Sequence, residues 1–361
     1  MENKSILNNR FNLQDIELKI EQVDTNEDFA EIEPECMILA DKNETSYLLA
    51  ATEEGFKVVE EGKQVFSTRK NDPASQAAGL ITDVMYLEPT NCYLINLNGS
   101  LVRKDIDSNL PYYFADVRLQ TMEETPCTSF QYSNLSKRLF VNSEEQGIVV
   151  IDASKPTLTV RFNFPEDPWD SVADFVVFGQ IENRVLKLTC TGLLALFNLN
   201  LEQNKVLSET THQIELESRR NEMANSVAVC SKGKFACVEI KVHCEEPTSS
   251  RLMVFEVGGN SLTPKATLDL HQYGFGCQSA LTGLGYFSSN AVFLGLGGLL
   301  GEEGQEAHLY EFNLGAAELR EVEGKRVPHE ETNPQKIQRV GDCFYFTGTG
   351  GKVMKVSCNQ A

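Results

Sequence analysis

Helical periodicity is nearly missing from this chain of 361 residues, and histidine (five) and tryptophan (one) are scarce. Without apolar residues recurring at three- and four-residue steps, a helical bundle has no stripe to bury. Basic residues are the minority: 32 Lys and Arg stand against 52 Asp and Glu, a formal net charge of −20. A field of that sign repels phosphate backbones and anionic lipid, so nucleic acid and membrane insertion are not expected. The ten cysteines form no C-x-x-C pair, and Cys36, Cys190, Cys230, Cys237 and Cys343 lie inside apolar runs. Reduced thiols packing as small hydrophobes fit that placement, which points to a reducing, intracellular setting, the cytoplasm first and the nucleus also open. The opening MENKSILNNRF has neither an apolar signal core nor a glycine at position 2, so no secretory signal or myristoyl anchor is expected.

Catalytic signatures are equally sparse. There is no G-x-S-x-G elbow, no H-E-x-x-H and no cysteine or histidine pair at zinc spacing. The run GTGGK at 348–352 leads into Val353 where a phosphate loop needs Ser or Thr, and into a strand where it needs a helix. Residues 271–301 carry no charge, but they hold eight glycines and the turn Ser288-Ser289-Asn290. Each glycine costs a helix about 1 kcal/mol relative to alanine, so buried strands, not a membrane span, are expected there. No catalytic residue, metal ligand or cofactor is assigned, and the chain is not expected to be an enzyme.

What is present is repetition. Short runs rich in Val, Ile, Leu, Phe and Tyr recur between Gly, Asn, Asp, Ser and Pro, the mark of an all-β chain. Residues 81–106 and 127–153 both read as strand, polar turn, strand, Gly turn, and an alternating strand ending in an acid. That last position recurs at Glu60, Asp105, Asp152, Asn198, Glu256 and Asn313, at intervals of 45, 47, 46, 58 and 57 residues. Glycine opens the third strand at Gly55, Gly99, Gly147, Gly192 and Gly351, as a tight hairpin requires. A unit of about 45 residues with four strands is a propeller blade.

From Phe11 to Cys358 these units resemble the WD-repeat family, with its Trp-Asp dipeptide reduced to Lys104-Asp105, Ile151-Asp152, Phe197-Asn198, Phe255-Glu256 and Phe312-Asn313. The expected fold is a seven-bladed β-propeller of four-stranded antiparallel blades at about 36–67, 81–118, 127–162, 170–216, 223–270, 279–322 and 335–358. Residues 1–10 are expected as a tail and 11–361 as one domain. The strand Phe11–Ile20 is expected as the outer strand of the last blade, closing the ring and removing free strand edges.

Length is added on one side of the repeat. The second-to-third turns grow at 241–250 and 297–307, and blade connections lengthen at 21–35, 68–79, 209–224 and 323–333. One-sided insertions mark a binding face. That face is acidic: residues 21–35 carry seven carboxylates and no Lys or Arg. The candidate contact residues are Glu245, Glu246, Glu302, Glu303, Asp167, Asp170 and the lone Trp169, with Arg219 and Arg220 interrupting the collar. Acids attract a basic partner at long range, and a desolvated tryptophan anchors an interface. Plain solvated surface explains the charges equally simply, and an aromatic plug between blades explains Trp169.

The reading this favours is a non-catalytic protein–protein interaction scaffold, which the resemblance places as a subunit of a larger intracellular assembly. Its partners are other proteins with a basic surface or peptide. Two rivals stand beside it. One is a metal-dependent enzyme of the lactonase type using the central channel, for which Asp83, Asp174 and Asn225 are near the right place and Thr82, Ser129 and Thr282 are ordinary lining. The other is a reader that takes a basic peptide into the channel.

Overall fold

Polar turns and Val, Ile and Phe runs predict strands, and the computed structural model is built of them. It describes the backbone of the strands named below and the side chains of residues 130–133, 135–142, 147–152, 164, 171–179, 183–217, 221–229, 233–241 and 251–269. The strands are β1 (Glu17–Val23), β2 (Cys36–Lys42), β3 (Thr45–Thr52), β4 (Gly55–Glu60) and β5 (Lys63–Ser67). Next come β6 (Ile81–Leu87), β7 (Cys92–Leu97), β8 (Ser100–Asp105) and β9 (Tyr113–Phe114). They continue with β10 (Cys127–Ser133), β11 (Arg138–Ser143), β12 (Gly147–Asp152) and β13 (Thr159–Asn163). Then follow β14 (Val172–Phe178), β15 (Arg184–Thr189), β16 (Leu193–Asn200) and β17 (Lys205–Gln213). After them come β18 (Glu222–Val229), β19 (Phe235–Val242), β20 (Arg251–Val257) and β21 (Leu262–Asp269). The last are β22 (Gly285–Tyr286), β23 (Val292–Gly297), β24 (Glu306–Asn313), β25 (Glu318–Pro328), β26 (Pro334–Val340), β27 (Cys343–Gly348) and β28 (Val353–Asn359).

Each set of four consecutive strands from β2 to β25 is its own antiparallel sheet, and β1 lies beside β28 in the order β1-β28-β27-β26. The expectation of a closed seven-bladed ring is corrected. The sheets are separate ladders, not closed into a barrel, and side chains are described in three of them, on strands β10–β12, β14–β17 and β18–β21. The physical reason is that neighbouring sheets meet through side-chain faces, so no ladder passes between them. Among the described strands each sheet therefore ends in two outer strands, including the sheet that contains β1. The strand expected at Phe11–Ile20 runs from Glu17 to Val23. β17 continues to Gln213, which shortens the connection expected at 209–224.

Burial follows position in the sheet. The middle strand β12 is buried along its whole length, and β16 nearly so, because both faces are covered. Outer strand β17, KVLSETTHQ, alternates exposed and half-buried residues, as a strand with one wet face must. Phe140, Ile148, Val150 and Phe164 of the third sheet pack with Phe175, Val185, Ala195 and Phe197 of the fourth. Leu186, Leu188, Leu194 and Leu196 pack in turn with Val227, Val229, Val238, Ile240 and Phe255 of the fifth. Cutting one such buried Phe to Ala costs about 3–5 kcal/mol.

One irregularity recurs. The first strand shifts register between Ile81 and Asp83, Cys127 and Ser129, Val172 and Asp174, Ala224 and Ser226, and Pro334 and Lys336. A bulge re-aims the side chain after it. Asp174 is turned by its bulge toward the fifth sheet, where Oδ2 accepts the Val227 N–H at 2.9 Å while Oδ1 accepts its neighbour Phe175 N–H at 2.8 Å. The third and fourth sheets are stitched similarly: Gln131 Nε2 donates to Phe175 O (2.6 Å) and its Oε1 accepts the Val177 N–H (2.9 Å).

Candidate functional site

Antiparallel order puts the ends of β17 and β19 and the starts of β18 and β20 at one end of the fourth and fifth sheets. At that end, Glu222 opens the strand EMANSVAV as a buried acid. An isolated buried carboxylate is costly, so it needs donors. Glu222 Oε2 is 2.8 Å from Arg251 Nη2 and accepts the Glu217 N–H, also at 2.8 Å. The same Arg251 nitrogen donates to Glu215 O at 2.5 Å. The Glu222 side chain is 2% exposed and that of Arg251 23%, so the pair is screened far less than a surface pair. Glu222 N–H also bonds back to Glu217 O at 3.5 Å, and Asn221 takes a left-handed φ of 49°, which closes the connection on itself.

The bonds continue into the fourth sheet. Ala224 N–H donates to Cys190 O at 3.4 Å, Cys190 N–H to Ser171 O at 2.9 Å, and Ile214 N–H to Gly192 O at 2.9 Å. Gly192 makes this turn at φ +88°, and a Cβ there would lie 2.9 Å from Ile214 O. Thus Ser171, Glu217 and Arg251 belong to one hydrogen-bonded patch, with Asn221 next to its Glu222. They are the roots of the segments that carry Trp169, of Arg219 and Arg220, and of Glu245 and Glu246.

The predicted contact residues themselves (Asp167, Trp169, Asp170, Arg219, Arg220, Glu245, Glu246, Glu302 and Glu303) lie outside the described residues. The structure joins the roots of three of those four segments. For Glu302 and Glu303 it describes no root side chain. Glu222 and Arg251 were not singled out from sequence. Their signal is an ionisable residue as the first residue of an apolar strand directly after a loop.

The opposite end shows what the recurring acidic position does. Asp152 pairs with Arg138 across the ladder at 2.8 Å, and Asn198 Oδ1 accepts from Arg184 Nε at 3.1 Å. Asn198 Nδ2 reaches Ser208 Oγ (2.8 Å), Gly259 O (2.9 Å) and Asn260 Oδ1 (2.9 Å), and Arg184 Nη2 donates to Gly258 O. The Arg184 guanidinium lies 4.8 Å from the Phe178 ring centroid, and its burial lowers its proton affinity. This end is braced between sheets by short hairpins.

Two of the residues named for a channel enzyme, Asp174 and Asn225, have other work. Asp174 spends both oxygens on backbone N–H groups, and Asn225 Nδ2 donates to Glu239 Oε2 at 2.9 Å. Ser226 Oγ adds a second bond to that oxygen at 3.1 Å. Glu239 is fully buried, its Oε1 accepts no hydrogen bond, and burial raises its carboxyl well above the usual carboxylate range against the pull of Lys241, Asn225 and Ser226. Burial, with Glu239 alongside, likewise pushes the Cys237 thiol up, which makes it a poor nucleophile. Asp83, Thr82, Ser129 and Thr282 have no described side chain. Among the described residues no group of three or more His, Cys, Asp or Glu is placed to hold a metal, and no helix is long and apolar enough to cross a membrane.

No family model and no curated protein matches the chain. Solved structures do resemble it. The β-propeller domain of Vanderwaltozyma polyspora Nup133 superposes with a TM-score of 0.65 at 10% identity, covering 95% of this chain and 98% of that one. The Cps50 (Swd1) β-propeller domain from Myceliophteria thermophila gives 0.59 at 11% identity, over 93% and 99%. A chain of the Mitotic Checkpoint Complex gives 0.57 at 10%, over 99% and 95%. The fold is β-propeller-like and is shared with several distinct propeller families, with no specific tie to WD repeats.

Proposed function

We propose that this chain is a non-catalytic interaction scaffold that docks other proteins, chiefly a basic surface or peptide, on the loop-bearing end of its sheets, as a subunit of a larger assembly in the cytoplasm or nucleus. The observation that carries the reading is the hydrogen-bonded patch from Ser171 through Cys190, Gly192, Ile214, Glu217 and Glu222 to Arg251, whose residues flank three candidate contact segments at one end. An anchored root lowers the ordering cost a loop pays on binding. Support from likeness is that a chain of similar fold occurs in a structure of the Mitotic Checkpoint Complex. Of the residues offered by the enzyme reading, Asp174 and Asn225 are engaged in holding the sheets, which weighs against that rival.

The test is capture from cell extract at low and high salt with the wild type and a neutralised variant, Asp167→Asn, Asp170→Asn, Glu245→Gln, Glu246→Gln, Glu302→Gln and Glu303→Gln. The expected result is a defined set of partners retained at low salt, lost at high salt and lost by the variant. Equal retention by both proteins overturns the acidic-face reading.

A further inference from the structure

We infer that the outer edge of β17 is a docking strand, onto which an extended basic segment of a partner protein adds as a further strand of the fourth sheet. The inference shares only the basic partner with the proposed function. Its surface is a sheet edge, not the loops, so the two fail separately. β17 is the last strand of its sheet, and among the described strands none pairs with its far side. The Ile214 N–H bonds to Gly192 O, which fixes the parity of the ladder. Ser208, Thr210 and His212 therefore bond inward to β16, while Glu209, Thr211 and Gln213 turn N–H and C=O outward. The side chains of those three, with that of Leu207, stand on the exposed face.

The neighbouring edges show what singles this one out. A bulge recurs where the last two strands of a sheet pair, and its extra residue is Arg161 in β13, Leu207 in β17 and Lys265 in β21. Charge and proline at an edge discourage further pairing. β21 has both, since Lys265 forms an ion pair with Glu256 and Pro264 has no N–H to offer. At the same two places β17 has Leu207, which is 58% exposed, and Val206. Beyond the bulge β17 keeps one register for six residues, 208–213, against four in β21 and two in β13. The outward backbone groups call for an extended chain, and Leu207 for an apolar residue on it. Its charge follows from Glu209 on the exposed face and from a net charge of −20, which repels an acidic segment and a second copy of this chain alike.

The probe is a dye-labelled heptapeptide of alternating lysine and valine at low salt, read by anisotropy and by hydrogen exchange on the full chain. Binding is expected to slow exchange in β17 and to leave β21 unchanged. Thr211→Pro deletes an outward N–H without touching the ladder to β16, and Leu207→Lys copies the residue of the next sheet; each should weaken binding about tenfold. Glu209→Lys should shift the preference about fivefold toward a heptapeptide of alternating glutamate and valine. Should Thr211→Pro not fold, the two substitutions at exposed side chains still decide. No binding by the wild type, protection elsewhere than β17, or unchanged affinity in Leu207→Lys and Glu209→Lys overturns the edge. The neutralised loop variant should bind the heptapeptide as the wild type does. Loss of binding there, with the β17 variants unaffected, assigns the basic segment to the loops and overturns the edge.

Discussion

Asp174 and Glu239 occupy the same layer of neighbouring sheets and live in opposite circumstances. Register places Asp174 opposite Leu188 in the fourth sheet and Ser226 opposite Glu239 in the fifth, so the carboxylate has moved one strand over. On the first strand, after the bulge, a short acid faces the next sheet's backbone and both oxygens find N–H donors. On the second strand, a longer acid turns to Asn225 and Ser226 of its own sheet, and one oxygen is left without a donor. Donors, not the charge itself, decide whether a buried acid stabilises a junction or burdens it.

The comparison breaks most violently if the fifth-sheet pattern is copied into the fourth. Asp174→Ser with Leu188→Glu strands the Val227 N–H and puts a carboxylate in the apolar cluster of Leu186, Leu194 and Val238; urea titration should show a loss of about 5 kcal/mol or more. Asp174→Ala alone removes two charge-assisted bonds and should cost about 2–3 kcal/mol in the same assay. Gln131→Ala cuts the two side-chain bonds between the third and fourth sheets, for about 1–2 kcal/mol. The smallest change should have the opposite sign: Glu239→Gln replaces a buried ionisable carboxyl by a neutral isostere and should raise stability by about 1 kcal/mol wherever that carboxyl is ionised.

That gain carries a pH signature. The folded carboxyl of Glu239 lies above its unfolded value of about 4.3, so the folded state holds the proton more tightly. The associated stability is full below the unfolded value and is lost as pH rises through the folded one. Thermal melts should show the wild type gaining on Glu239→Gln as the pH falls through the folded carboxyl's raised range toward the unfolded value. A difference that stays constant with pH would show that Glu239 is not the group titrating.

Much of the architecture was legible because it is local. Consecutive strands joined by polar turns, and glycines at Gly147 and Gly192 with φ of 70° and 88°, depend on residues a few positions apart. The recurring acidic position was visible, and its partners Arg138 and Arg184 sit where the ladder's register puts them, at the start of the preceding strand. The closed ring expected from the repeat was the part misread, since side-chain faces, unlike strand edges, leave no simple pattern to say how sheets meet. The Glu222–Arg251 pair was hidden for a related reason: the two residues meet only after β19 has folded back between them, so no spacing announces the pair. Nor could composition tell Asp174, which is satisfied, from Glu239, which is not.

The pairing of β1 with β28 sets the order of events during synthesis. Every other sheet draws on neighbouring strands and is free to form as its own residues emerge, whereas Val23 meets Val353 and Glu17 meets Asn359. Contacts of such long sequence separation are slow and come late. Strand β1 is therefore made long before its partner, and it waits with an unpaired edge until Val353–Asn359 has emerged.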